Sequence, residues 1–164
     1  MAYVGSYLWQ LRQAVGSDLI LMPGAMVALL DQDRRVLMTK RADDGTWCLP
    51  AGAAERGGSF AQTAIKELAE ETGIKVKERD LVPFGSLSEA DSHTIHYPSG
   101  DVTHCFALLF LAKCWSGELK LDPDEVIEAR FADIDSPPGP LHSPAAHALA
   151  QLREFLTSGE FQLR

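Results

Sequence analysis

One segment, residues 59–73, constrains the fold of this chain more than any other. Ser59 and Gln62 have the spacing of a capping box, in which each side chain accepts the other residue's backbone N–H. Gly73 stands where a left-handed C-terminal cap belongs. Between them, apolar residues recur with the period of an α-helix. They are Ala61, Ala64, Ile65 and Leu68. The sequence therefore predicts an amphipathic helix that begins after Ser59 and ends before Gly73.

The opposite side of this helix carries three glutamates. Glu67, Glu70 and Glu71 stand at i, i+3 and i+4, so their carboxylates approach one another. Like charges at this spacing repel, and the helix dipole disfavours anions near a C-terminus. Mg²⁺ or Mn²⁺ would reverse this repulsion, because hard cations prefer clustered oxygen ligands. A bare cluster of this kind is more often a solvated polar face. The cap and the glycine-rich loop before the helix favour a metal site.

The remaining elements predict an α/β domain in which strands outnumber helices. The predicted strands are residues 25–30, 35–40, 47–49, 103–114, 118–121 and 128–133, with further apolar stretches at 74–76 and 81–87. We expect the first two strands to form a hairpin through a polar turn, and Pro23-Gly24 to interrupt the apolar run before them. A mixed β-sheet flanked by helices, an α+β sandwich, is the natural packing.

Two further helices and two loops complete the predicted organisation. Apolar spacing within residues 3–15 predicts a helix at about residues 5–15 that ends at Gly16. A C-terminal helix at about residues 143–157 begins with Ser143 as N-cap and Pro144 at the first helical position. Residues 51–58 read as a glycine-rich loop and residues 88–101 as a polar loop. The length suits a single domain over residues 1–164.

Composition narrows the function classes. The net charge of −8 disfavours binding to duplex nucleic acid, whose phosphates an acidic surface repels. The same charge fits either carboxylates gathered around cations or plain solubility. No apolar run reaches the roughly 18 residues of a membrane span, and no signal peptide is visible. We therefore expect a cytoplasmic protein without a membrane partner.

The three cysteines, Cys48, Cys105 and Cys114, are too scattered for a disulfide framework and contain no zinc-type pair. Each lies among apolar residues, which is typical of a buried free thiol. This usage fits a reducing compartment.

Residues 52–74 resemble the signature of the Nudix hydrolases, written G-x5-E-x7-R-E-U-x-E-E-x-G-U with U aliphatic. Gly52 matches the first glycine, Glu67-Leu68 the central pair and Glu70-Glu71 the paired glutamates. Gly73-Ile74 closes the motif, and Trp47, Leu49 and Pro50 also look like the family. The resemblance extends loosely to residues 41–47 and 97–101.

The resemblance implies a Nudix-type fold and a metal-dependent pyrophosphohydrolase. In the family, glutamates matching Glu67, Glu70 and Glu71 bind the divalent cations, Mg²⁺ or Mn²⁺, and the carbonyl matching Gly52 often joins them. The implied substrate is a small molecule of nucleotide type. This chain departs from the motif at Gly58, where glutamate is expected, at Lys66, where arginine is expected, and more mildly at Ala51. Lys66 keeps the charge but lacks the planar fork that orients the first glutamate.

Residues outside the motif supply further candidates. Glu125, with Asp124 and Glu128 behind it, is the candidate base, although an exposed acidic loop explains the same residues. Arg41 is the candidate for phosphate contacts, although a salt bridge with Asp43 or Asp44 is the commoner arrangement.

Aromatic and imidazole side chains are weaker candidates. Trp47 is a candidate for stacking on a base, although a tryptophan before an apolar strand more often fills the core. Tyr97 is the third substrate-binding candidate. It lies in a loop whose surrounding histidines, His93, His96 and His104, lack metal-ligand spacing.

Two functions remain open at this level. The chain is either a pyrophosphohydrolase or, given Gly58 and Lys66, a nucleotide-binding regulatory module with little turnover. Retention of all three glutamates favours the enzyme. The amphipathic N-terminal segment would serve either a homodimer or packing on its own domain, and the sequence favours neither.

Overall fold

The computed structural model describes residues 4–97 and 99–164. Its helices are α1 (Tyr7–Val15), α2 (Phe60–Thr72), α3 (Ala90–His93) and α4 (Ser143–Ser158), with a 3-10 turn at Glu78–Asp80. Its strands are β1 (Ile20–Leu29), β2 (Val36–Arg41), β3 (Trp47–Cys48), β4 (Ala51–Ala53), β5 (Leu81–Leu87), β6 (Thr94–His96), β7 (Val102–Ala112), β8 (Val126–Ala132) and β9 (Gln162–Leu163). Tyr3, with which the predicted N-terminal segment began, and Pro98, in the predicted polar loop, lie outside the described residues.

The larger sheet has β7 near its centre and the strand order β4-β1-β7-β5-β9, with β6 also paired to β7. β1 runs parallel to β7 along its whole length, from Ile20 opposite Thr103 to Leu29 opposite Ala112. The pairs β1–β4 and β5–β7 are antiparallel. The sheet is therefore mixed, as predicted, and the long apolar run of the sequence forms its central strand.

The smaller sheet is antiparallel, with the order β3-β2-β8. The predicted hairpin between residues 25–30 and 35–40 is wrong. Leu30 and Val36 form one isolated bridge, but β1 and β2 belong to different sheets. Both edges of β1 are already paired, with β4 on one side and β7 on the other. Adjacency in sequence therefore could not decide its partner.

Two apolar clusters fill the faces of the larger sheet, and successive residues of β1 alternate between them. Met26 and Ala28 belong to the cluster that contains Leu149 and Leu152 of α4. Ala25, Val27 and Leu29 belong to the cluster that contains Ala64 and Leu68 of α2. Burying a leucine side chain fully stabilises a fold by about 1.5–3 kcal/mol. The apolar stripe predicted for α2 is thus confirmed.

Both predicted ends of α2 are confirmed. The Ser59 hydroxyl accepts the Gln62 N–H at 3.1 Å, and the Gln62 side chain accepts the Ser59 N–H at 2.9 Å. Gly73 has a φ of 75° and donates its N–H to the Ala69 carbonyl. A Cβ at Gly73 would lie 3.0 Å from the Glu118 carbonyl oxygen. Both the positive φ and this close approach require glycine.

Pro23-Gly24 does not interrupt β1, contrary to prediction. The Pro23 carbonyl accepts the N–H of Ala54 at 2.9 Å, just beyond the end of β4. At Pro23, the edge of β1 that faces β4 therefore needs no backbone N–H, which proline lacks. Gly24 allows close strand approach, because a Cβ there would lie 2.7 Å from the Gly52 carbonyl oxygen.

Several loops also differ from prediction. Residues 118–121 form no strand, because Lys120 donates its N–H to the Thr72 carbonyl at the end of α2. The glycine-rich loop begins with strand β4, and the polar loop of residues 88–101 contains α3 and β6. The N-cap of α4 is His142 rather than Ser143.

Helix α1 is held at both ends by charged side chains. The Glu55 carboxylate accepts the Tyr7 N–H at 3.0 Å, and the Arg56 guanidinium lies 4.8 Å from the centre of the Tyr7 ring. At the other end, the Arg12 guanidinium donates to the carbonyls of Asp18 and Val102, each at 2.6 Å. The helix therefore joins the glycine-rich loop before α2 to the start of β7.

Cys48 and Cys105 are buried, as predicted, whereas Cys114 is exposed because it follows the end of β7. Within residues 4–97 and 99–164, no helix has the length and apolar character needed to cross a membrane.

Candidate active site

Gly52 makes room for the first glutamate of α2. A Cβ at Gly52 would lie 2.1 Å from a carboxylate oxygen of Glu67, so any other residue would displace that side chain. The Gly52 carbonyl oxygen, in contrast, faces β1, where a Cβ at Gly24 would meet it. The structure thus gives Gly52 a steric role. The predicted role of the Gly52 carbonyl as a metal ligand stays a prediction.

Lys66 lies between two of the three glutamates. Its Nζ is 2.8 Å from a carboxylate oxygen of Glu70 and 3.4 Å from one of Glu67. The sequence led us to expect Lys66 to support Glu67, but its shorter contact is with Glu70. Glu67 is mostly shielded, with 14% of its side chain exposed, whereas Glu70 is 53% exposed.

The two shielded carboxylates carry negative charge that is only partly compensated. Burial raises the pKa of Glu67, the Lys66 ammonium opposes this, and Glu70 and Glu125 raise the pKa further. Burial raises the pKa of Glu71 well above its usual range. The Ala51 N–H, which donates to Glu71 at 3.3 Å, opposes that shift, whereas Glu125 and Glu67 reinforce it. A bound cation would relieve this charge.

The loop that carries Glu125 is attached to the end of α2. Asp122 donates its N–H to the Glu71 carbonyl at 3.3 Å, and Val126 donates its N–H back to the Asp122 carbonyl at 2.8 Å. The Glu125 carbonyl accepts the Ala42 N–H at 2.8 Å. Glu125 is therefore held between α2 and the end of β2, and its charge acts on both Glu67 and Glu71. The flanking candidates Asp124 and Glu128 are exposed.

Arg41 ends β2 beside this loop, but acidic neighbours already bind it. Its Nε donates to Asp43 at 2.9 Å and lies 3.6 Å from Asp44. The Arg41 charge also lowers the pKa of Glu71, so the guanidinium and the glutamates share one electrostatic environment. A phosphate would therefore have to compete with Asp43 for Arg41.

The aromatic candidates differ in exposure. Trp47 is 3% exposed and packs in the core, with Arg130 4.7 Å from the centre of its ring. The predicted stacking of Trp47 on a base therefore has no exposed ring face to use. Tyr97 is half-buried. Burial raises the pKa of the Tyr97 hydroxyl to about 12, while Arg41 opposes that shift.

Two of the three loop histidines have structural partners. The buried His93 forms a hydrogen bond through Nδ1 with the Leu87 carbonyl at 3.1 Å. His104 forms one with the Ser88 carbonyl at 2.8 Å. Only His96 is exposed.

The first half of the motif carries no carboxylate aimed at α2. Gly58 stands in a turn, where it donates its N–H to the Glu55 carbonyl at 3.0 Å. Glu55 itself accepts the first N–H of α1. The family's glutamate at position 58 is therefore not replaced by its neighbour Glu55.

The donor set fits a hard divalent cation. Carboxylate oxygens are the ligands that Mg²⁺ and Mn²⁺ prefer. Burial raises the pKa of Glu67 and Glu71, and a nearby cation would favour their charged forms. As the side chains stand, no three His, Cys, Asp or Glu groups among the described residues are arranged around one ion. Glu70 would have to exchange its contact with Lys66 for the cation.

His142 was missed by the sequence reasoning, which stopped at Ser143. Its N–H donates to the Trp47 carbonyl at 2.9 Å, so it lies beside β3, and its pKa responds to Arg41 and Asp44. The contact joins segments far apart in sequence, and no local pattern indicates it.

Comparisons with known proteins identify the family and the fold. The model of the NUDIX domain matches residues 20–152, so the chain belongs to the Nudix family. The structure is similar to a MutT NUDIX hydrolase from Burkholderia pseudomallei, with a TM-score of 0.68 and 26% identity over 81% of this chain and 98% of that one. An ADP-ribose pyrophosphatase from Streptococcus suis shares the fold, with a TM-score of 0.66 and 21% identity over 87% of this chain and 98% of that one.

Similar sequences carry several names. An ADP-ribose pyrophosphatase from Methanocaldococcus jannaschii is 30% identical over 117 residues, which are 70% of this chain and 63% of that protein. An NAD-capped RNA hydrolase NudC from Actinobacillus succinogenes is 37% identical over 100 residues, which are 61% of this chain and 33% of that protein. The chain thus spans less than two thirds of the length of these relatives.

Proposed function

We propose that this protein hydrolyses a phosphoanhydride bond in a nucleoside diphosphate derivative, with Mg²⁺ or Mn²⁺ as cofactor. The observation that carries the proposal is the under-compensated negative charge of Glu67 and Glu71, with Glu125 adding to it. A fold gains nothing by burying repelling carboxylates unless a cation binds them, because each buried charge costs free energy.

Glu67, Glu70 and Glu71 are the proposed metal ligands. A bound cation supplies charge neutralisation at the pyrophosphate oxygens and lowers the pKa of an attacking water. Lys66 keeps positive charge beside the ligands and, after Glu70 turns to the cation, remains within reach of Glu67. Gly52 leaves the space in which the Glu67 carboxylate lies.

Glu125 is the proposed base. Glutamates that bind cations are poor proton acceptors, and the attacking water needs an acceptor nearby. Glu125 is half-buried and is held by backbone hydrogen bonds at the rim of the same charge cluster. Arg41, released from Asp43, would bind a phosphate oxygen. Tyr97, on which the Arg41 charge acts, would contact the substrate.

The relatives' names narrow the substrate class. ADP-ribose pyrophosphatase and NAD-capped RNA hydrolase both act, by name, on a nucleoside diphosphate joined to another group. We propose a substrate of that shared kind, a nucleotide-type small molecule. The acidic charge of −8 disfavours a long nucleic acid as the normal substrate.

A substrate panel tests the proposal. ADP-ribose, NADH, UDP-glucose and 8-oxo-dGTP are each incubated with Mg²⁺ or Mn²⁺, and products are separated by chromatography. We expect metal-dependent cleavage of at least one compound, and loss of that activity in Glu70→Gln. Binding without cleavage of any compound would instead support the regulatory nucleotide-binding module.

A further inference from the structure

One end of the smaller sheet brings four chain segments side by side. β8 begins after Glu125, β2 ends at Arg41, and β3 begins at Trp47. A fourth segment continues the row, because Leu141 forms a parallel bridge with Trp47. Neighbouring strands lie about 4.8 Å apart. The row from Glu125 to the segment of Leu141 therefore spans three such spacings, a length that an extended nucleoside diphosphate derivative can cover.

His142 closes this row on the face of the sheet that Cys48 also occupies. Side chains alternate along an extended chain, so His142 and Leu141 point to opposite faces. Because Leu141 is aligned with Trp47, His142 falls on the face of Cys48. The charge of Arg41 acts electrostatically on both Cys48 and His142, so it reaches this face of the sheet.

The two ring nitrogens of His142 differ in their burial and in their protonation. Nδ1 is buried and has no hydrogen-bond partner. Placing the proton on Nδ1 would bury an unpaired donor, which costs more than leaving an acceptor lone pair unused. The proton therefore belongs on Nε2. Nε2 is not among the buried unpartnered atoms, and His142 is half-buried, so the Nε2–H is the donor of this ring that a ligand can reach.

The charge around His142 indicates the kind of ligand. Burial lowers the pKa of His142, and the Arg41 charge lowers it further, so the imidazole is neutral near pH 7. Asp43 and Asp44 offset the Arg41 charge. A neutral N–H donor beside two carboxylates suits an uncharged acceptor better than a phosphate.

We infer that the Nε2–H of His142 binds the uncharged sugar or base at the far end of the substrate from the metal ligands, as a specificity-determining contact. This inference rests on the proposed function for the identity of the substrate class. The shared chemistry is a hydroxyl, carbonyl or ring-nitrogen acceptor on a nucleoside or sugar phosphate.

Binding of two probes, AMP and ribose 5-phosphate, tests this subsite without turnover. Calorimetric dissociation constants are measured at fixed Mg²⁺ for the wild type, His142→Leu and His142→Gln. Leucine has a similar volume but no donor, whereas the glutamine amide places an N–H near the position of Nε2. We expect His142→Leu to weaken one probe by about three- to tenfold, the net effect of one hydrogen bond, and His142→Gln to restore most of it.

The two probes distinguish the source of the acceptor. A loss confined to AMP assigns the base, and an equal loss for both assigns the ribose. His147→Ala is the matched control, because His147 is exposed on the same helix and should not change either constant. If His142→Leu does not fold, as judged by thermal unfolding, His142→Ala replaces it as the variant without a donor.

Two results would overturn the inference. One is equal affinity of the wild type and the donor-free variant for both probes, and the other is failure of the wild type to bind either probe. The substrate panel is independent of this measurement. Selective probe binding without any hydrolysis would refute the proposed function and leave the subsite standing.

Discussion

The two halves of the Nudix motif use their carboxylates in opposite ways. In the first half, Glu55 accepts the first N–H of α1, an anion at a helix N-terminus where the dipole favours it. In the second half, Glu67 and Glu71 lie near the C-terminus of α2, are shielded from water and have raised pKa values. The first carboxylate stabilises the fold, whereas the second pair costs free energy in the absence of a cation.

The surroundings of a carboxylate, and not its residue type, therefore distinguish structural from functional acidic residues in this motif. Glu55 is satisfied by the protein itself, because it accepts a backbone N–H at the N-terminus of a helix. Glu67 and Glu71 are repelled by each other and by Glu125, and among the described residues Lys66, Arg41 and one backbone N–H oppose that repulsion. The C-terminal half of the motif is therefore where substitutions should affect ligand binding, and the N-terminal half is where they should affect stability.

The largest effect is expected for Glu71→Gln. We predict a fall in kcat of more than about 100-fold, beyond the 10- to 100-fold typical of groups that only support a metal ligand. Mn²⁺ titration should show weaker binding, while thermal unfolding with a chelator should show a more stable protein, because a buried charge has been removed. Equal Mn²⁺ affinity of wild type and variant would contradict the assignment.

Glu125→Gln should have the next largest effect. We predict that kcat falls by about 100-fold or more, as for loss of a general base, while metal affinity and KM change little. Glu118→Gln is the control, because Glu118 is an exposed glutamate in the same connection between β7 and β8. A near wild-type kcat for Glu125→Gln at saturating metal would move the base elsewhere, with Glu67 the next candidate.

A smaller gain is expected from restoring the motif. Lys66→Arg with Gly58→Glu should raise kcat by about 10-fold. The arginine guanidinium would orient Glu67 through two hydrogen bonds, and the new glutamate would support the metal. The single variant Lys66→Arg separates the two contributions. This control is needed because Gly58→Glu requires a small local adjustment: a Cβ at Gly58 would lie 3.3 Å from the Glu55 carbonyl oxygen. A double variant no faster than the wild type would show that the site has adapted to Lys66 and Gly58.

The smallest effect is expected for Glu55→Gln. The change removes the charge at the start of α1 and should lower the free energy of unfolding by about 1 kcal/mol. Mn²⁺ affinity and kcat should stay at wild-type values, in contrast with Glu71→Gln. Denaturant unfolding measures the loss, with the exposed Glu160→Gln as control. A large drop in Mn²⁺ affinity would instead place Glu55 in the metal site and erase the contrast between the two halves.

Local patterns predicted α2 well because its determinants lie within the helix. The capping box, the apolar stripe and Gly73 all act over a few residues, and each has the predicted contact. The same holds for the central strand β7. The hairpin between β1 and β2 failed because periodicity tells which residues are buried but not which strand is the neighbour.

By itself, the sequence determined the helix with its three glutamates on one face, the steric need for glycine at its end, and the family. Those features depend on neighbours in the chain, where side-chain spacing and backbone conformation are set locally. Only the tertiary structure decided that the charge of Glu125 acts on Glu71, that Arg41 is bound by Asp43, that Trp47 is buried, and that His142 continues the row of the smaller sheet. These contacts join segments far apart in the chain, and their geometry follows from strand pairing across two sheets that no local spacing encodes.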